Sequence, residues 1–131
     1  MRPSILNVDL EITSASKLDS VIAEMGKRVV VLHSGPAAAR KKHPLVLESS
    51  QEHRGPDATI HALCSVIEVL SPAARRMLDS ARKEFDVGYE QRAAERLSLF
   101  ELRPDKLVRV ARLGATLAVS YYRDESDDGN K

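Results

Sequence analysis

The residue types in this chain best suited to chemistry are four histidines and one basic run. His33, His43 and His53 fall in or beside two polar segments in the first half, and Arg40-Lys41-Lys42 runs directly into His43. If the fold gathers them, His33, Arg40, Lys41, His43 and His53 make a site for a small ligand, or the active-site loops of a small enzyme. Metal chemistry is not expected, and no cofactor is. None of the histidines stands at the close spacing of a zinc site, and the lone cysteine, Cys64, cannot supply a thiolate-rich ligand set. His61 follows Ile60 on a helical pattern and reads as a surface residue.

Asp9 and Glu11 form a second candidate. Two residues apart on a strand, they share a face at about 7 Å, a separation that suits paired carboxylates. Ordinary alternation on an amphipathic strand also produces such pairs. Cys64 sits inside an apolar helical stripe, away from any base or helix start that would lower its pKa, and reads as an inert packing residue. Ser34-Gly35-Pro36 is neither a nucleophile elbow nor a phosphate loop, and no Gly-x-Gly-x-x-Gly or Gly-Lys-Ser/Thr occurs. The basic run lacks interleaved aromatics for base stacking, so nucleic acid is not an expected partner.

These residues must be positioned by a small alternating set of strands and helices. Leu6, Val8, Leu10 and Ile12 alternate with Asn7, Asp9, Glu11 and Thr13, the period of a strand with one buried face. Ser16 is placed to cap a helix whose stripe is Leu18, Val21, Ile22 and Met25, and Gly26 is placed to end it. Residues 28–33 read as a second strand and 45–48 as a short third. Asp57 is expected to cap the longest helix, with the stripe Ile60, Leu63, Cys64, Ile67 and Leu70. Ser71-Pro72 repeats a start signal and predicts a break there. A fourth strand follows at Phe85, Val87 and Tyr89, a fifth at 99–102, then a helix from Pro104 to Gly114 and a sixth strand through Leu117, Val119 and Tyr121.

The first and last thirds echo one another: strand, helix, glycine, strand, with the same step from Gly26 to Val29 as from Gly114 to Leu117. The expected order is βαββαββαβ, three βαβ units in a two-layer α+β sandwich related to ferredoxin-like folds, helices on one sheet face. At 131 residues the chain suits one domain, here 1–123, followed by a disordered acidic tail, 124–131. Without that tail, 19 basic residues stand against 15 acidic ones, too mild an excess for a dedicated nucleic-acid binder. No run is long and apolar enough to span a bilayer, no signal peptide is evident, and one cysteine suits a reducing compartment, so the expectation is cytoplasmic.

If the alternation holds, the open sheet face is acidic with an apolar seam. The residues expected to meet a partner there are Asp9, Glu11, Val30, Leu32, Val46, Asp86, Glu101 and Tyr122. The helices are expected to expose a more basic set, Lys83, Lys106 and Arg109 among it. Apolar residues on an open face mark a binding or oligomer surface.

The C-terminal stretch Phe100-Glu101-Leu102-Arg103-Pro104-Asp105-Lys106-Leu107, then Leu113-Gly114-Ala115, then 117–122, resembles the ending of an uncharacterised bacterial family, a domain of unknown function. Its members run strands, a long helix with a proline-marked break, a strand, and a helix ending in Leu-Gly before a last strand. The resemblance implies an α+β fold and a bacterial source, and no catalytic residues. Some relatives of this type look like immunity proteins. The expected role is therefore a non-enzymatic interaction domain that binds a protein partner, or a second copy as a homodimer, through the open sheet face. The alternative is a ligand-binding domain or enzyme built on residues 33–54.

Overall fold

Strict alternation marks a strand buried on one face, and pairing with two neighbours puts it at the centre of the sheet. In the computed structural model, which describes residues 6–34, 42–91 and 100–123, β1 (Leu6–Ser14) pairs antiparallel with both β3 (His43–Ser49) and β4 (Arg82–Gln91). The edges are β2 (Val29–Ser34), antiparallel to β3, and β5 (Ala115–Arg123), parallel to β4. The sheet is thus five-stranded and mixed, in the order β2-β3-β1-β4-β5. Since β1 and β2 both run against β3, they are parallel to each other with β3 between them. By the same reasoning β3 and β4 are parallel with β1 between them.

Among the described residues four α-helices join the strands: α1 (Asp19–Met25), α2 (Pro56–Glu68), α3 (Pro72–Asp79) and α4 (Pro104–Arg112). Their apolar stripes form one cluster with one side of the sheet. Val8, Leu10 and Ile12 meet Leu45, Leu47, Phe85 and Val87 there, under Val21, Ile60, Leu63, Ile67, Leu78 and Val110. Aliphatic burial against a single sheet face is what binds the two layers. The chain is an α+β protein, and its described residues are compatible with a two-layer sandwich.

Several expectations needed correction. Five strands are present among the described residues, not six. Phe100, Glu101 and Leu102 form no strand; Phe100 and Leu102 instead pack against the core as an extended approach to α4. A four-residue segment with three apolar members is too short to separate a strand from such a buried connection. The echo therefore holds for helix, glycine and final strand, while β4 takes the place of the strand expected at 99–102. Both glycines have positive φ, 58° at Gly26 and 68° at Gly114, which suits a residue without Cβ.

Ser16 caps nothing. The N-cap of α1 is Leu18, and the Ser16 amide donates to Ser14 Oγ at 3.0 Å. Asp57 lies inside the first turn of α2, after Gly55 and Pro56. Its carboxylate instead accepts from the Arg103 amide at 2.8 Å and pairs with Lys106 at 3.3 Å, tying α2 to the start of α4. The break at Ser71 is present. The Ser71 hydroxyl accepts from the Ala74 amide at 3.2 Å, and α3 starts at Pro72. The acidic tail 124–131, Leu99, Arg40 and Lys41 lie outside the described residues.

Candidate functional site

Residues directly opposite on paired strands share a face, so the register maps the side of the sheet away from the helices. Across β1 and β4, Asp9 stands opposite Asp86 and Glu11 opposite Glu84. Across β1 and β3, Glu11 also meets Val46, and across β2 and β3, Val30 meets Glu48. Five carboxylates, Asp9, Glu11, Glu48, Glu84 and Asp86, therefore occupy adjoining positions on the three central strands. They fall there because the polar members of each alternating strand all come from the same parity.

Carboxylates directly opposite one another are mutually destabilising. Asp9 and Glu11 show this most. Desolvation raises the Asp9 carboxyl above its ordinary range, and the charges of Glu48 and Asp86 raise it further. Glu11 is raised by desolvation and then by Asp86, Glu84 and Asp9. Asp9 Oδ1 is buried without a hydrogen-bond partner, whereas Asp86 Oδ1 accepts from the Ser120 hydroxyl on β5 at 2.8 Å. Among the described residues, the ion pairs are Lys106 with Asp57 and Asp105, and Arg109 with Glu68. All lie in the helical layer, and none involves the five carboxylates, whose face carries Arg82 at its border, opposite Thr13.

The expected partner residues divide accordingly. Asp9, Glu11, Val46 and Asp86 share the open face with Val30, which is 43 % exposed. Leu32 sits at the irregularity between Val31 and His33 on the edge strand and is exposed. Tyr122 occupies the register position opposite Glu90 near the end of β5. Glu101 precedes α4 and is not part of the sheet at all.

Lys83, expected on the exposed helical side, points the other way. It lies on β4 two residues before Phe85, hence on the core side, and is 3 % exposed. Its ammonium donates to the carbonyls of Leu78 and Ala81 at the end of α3. Desolvation lowers its pKa, against the opposing pull of Asp79. The signal that would have found it is its parity with Phe85 and Val87.

The histidines do not converge. His33 lies near the end of β2 opposite Val46, and His43 begins β3 opposite Ser14, lining a cleft of about 240 Å³ with Lys17, Asp19 and Ser34. His53 lies past the other end of β3, about 20 Å of strand away, hydrogen-bonded to Ser49 Oγ at 2.9 Å. It lines a separate cleft of about 370 Å³ with Arg28, His61 and Ser65. Among the described residues no three His, Cys, Asp or Glu side chains are arranged to hold a metal. Cys64 is buried, and burial pushes its thiol up to about 11, so the thiolate nucleophile is suppressed at neutral pH.

Arg109, expected among the exposed basic residues of the helices, is half-buried and bonded across them. It reaches from α4 to grip both Glu68 oxygens on α2 at 2.6 and 3.0 Å, and it donates to His61 Nδ1 at 2.6 Å and Ser65 Oγ at 3.0 Å. This network holds two helices together and leaves Arg109 committed to the fold. The chain matches no family model, no curated protein and no solved structure. Among the described residues, no helix is long and apolar enough to cross a membrane.

Proposed function

We propose that this protein is a non-enzymatic interaction domain whose open sheet face binds a cationic surface on a protein partner. The observation that carries the reading is the group of five carboxylates on β1, β3 and β4, set opposite one another and engaged in none of the described ion pairs, with Arg82 bordering the group at the start of β4. Lysine or arginine side chains brought against it relieve a repulsion already present in the free protein. Such complementarity accelerates encounter and selects the partner by charge. A second copy docked on the same face would oppose two acidic fields, so the face suits a different, basic molecule.

Val30, Val46 and Leu32 along the β2 side add apolar area beside the charge, the mixture usual at a non-obligate interface. The strand order supports a ferredoxin-like unit, β1 to β4, extended by β5. The residues at 100–107 and 113–122 support kinship with the uncharacterised bacterial family they resemble, and one buried thiol suits a cytoplasmic setting.

The test is titration with an arginine- and lysine-rich peptide by calorimetry. The triple variant D9N/E11Q/D86N is compared with D19N/D79N/E101Q, which removes as much charge from exposed sites off the face. Binding by the wild type and the second variant, and at least tenfold weaker binding by the first, supports the reading. Equal loss in both variants, or no binding by the wild type, overturns it.

A further inference from the structure

The two edges of the sheet differ in a way that points to self-association. An edge strand presents unpaired N–H and C=O groups to any passing strand, and monomeric proteins blunt such edges with charge, proline, bulges or short length. The β2 edge is six residues long and its pairing slips between Val31 and His33. The β5 edge is guarded less, its charge confined to Arg123 at the very end of the strand. Nine consecutive residues pair with β4 without a register shift, and from Ala115 to Tyr122 the strand contains no charge, no proline and no glycine. Among the described residues, nothing pairs with its outer side.

Apolar surface accompanies this edge. Val119 and Tyr121 belong to the helix side of the sheet by register, yet they are 41 % and 70 % exposed. The neighbouring helix α4, which packs on β5, exposes Leu107 and Val108 by nearly half.

We propose that two copies of this chain pair antiparallel through β5, forming one continuous ten-stranded sheet about a two-fold axis. An isologous contact requires a surface compatible with itself, and a strand uncharged from Ala115 to Tyr122 meets that demand where the acidic face does not. The arrangement buries Val119 and Tyr121 beside their counterparts and satisfies the outer ladder of both strands. It also leaves the carboxylates free. The acidic residues of β4 and of its symmetry mate are separated by three strand spacings, about 14 Å, beyond the roughly 8 Å screening length at physiological salt. The dimer then displays two acidic faces side by side on one sheet.

Size-exclusion chromatography with light scattering tests this on the full chain. The expected mass is twice the 14.5 kDa of one chain. Val119→Lys places a charge at the contact and should return the single-chain mass with an unchanged far-ultraviolet circular dichroism spectrum. Thr116→Lys, at an exposed position on the same strand, gives the same readout if the first variant folds poorly. A wild-type monomer at the highest soluble concentration overturns the proposal. So does a dimer indifferent to both lysines, or an open-ended series of larger species, which would indicate β2-to-β5 pairing. D9N/E11Q/D86N should keep the dimer mass whatever it does to peptide binding, so the two proposals fail separately.

Discussion

A lysine whose ammonium serves two helix-terminal carbonyls cannot be exchanged for an apolar side chain without consequence. Lys83 fills that role for α3, accepting desolvation in return for bonds to Leu78 and Ala81. Lys83→Met keeps most of the volume and removes the donor, so that the Ala81 carbonyl loses its ammonium partner and the Leu78 carbonyl keeps backbone amides alone. The expected loss is about 1–3 kcal/mol, read as a lower urea midpoint with an unchanged slope. Asp9 is the opposite case. Its unpartnered, crowded carboxylate is held above its ordinary pKa of 3.8, so the charged form burdens the folded state at neutral pH. Asp9→Asn should therefore raise the midpoint of thermal unfolding at pH 7. Its advantage should shrink as the wild-type carboxyl protonates on acidification.

At the scale of elements, junctions matter more than propensities. Ser71 joins three pieces: its hydroxyl caps α3 at the Ala74 amide, and its amide and hydroxyl both donate to the Glu24 carboxylate of α1 at 2.9 and 2.8 Å. Ser71→Ala removes the cap and one of the Glu24 bonds. Its expected cost is about 1 kcal/mol, measured by urea denaturation, and Ser71→Asn should recover part of it as an alternative cap. This junction was legible in advance because Ser-Pro after an apolar stripe is a strong local signal. The alternation of β1 was legible for a related reason, since a strand buried on one face must keep its parity. What could not be read was anything decided by distant partners. Asp57 has the sequence position of a cap, yet the Arg103 amide and Lys106 claim its carboxylate, and residues 100–102 have a strand's pattern because Phe100 and Leu102 pack on the core beside α4. The five-carboxylate face was legible as a set of residues. Its crowding depends on strand order, which places β1 between β3 and β4 and which no local pattern encodes.

For the whole molecule, two groups of carboxylates titrate with opposite consequences. Asp57 and Glu68 are held below their ordinary values, Asp57 chiefly by the Arg103 amide and Glu68 chiefly by Arg109. The stability they contribute is present above 3.8 and 4.5 respectively and is lost as pH falls through their lowered folded-state values. Asp9 and Glu11 are raised, so the folded state takes up protons before the unfolded state does. Their penalty is fully present above the raised values and is relieved as pH falls toward the ordinary ones. Acidification from neutrality should therefore first stabilise the fold, before the helical ion pairs fail at lower pH. The same first protonation removes charge from the face proposed to hold a cation. Thermal melts and peptide titrations run in parallel from neutral to mildly acid pH should move in opposite directions, stability up and affinity down. Affinity should also fall as salt rises, because added ions screen exposed charge. If stability and affinity decline together over that first interval, the acidic face is not under the strain described, and its claim on a cationic partner goes with it.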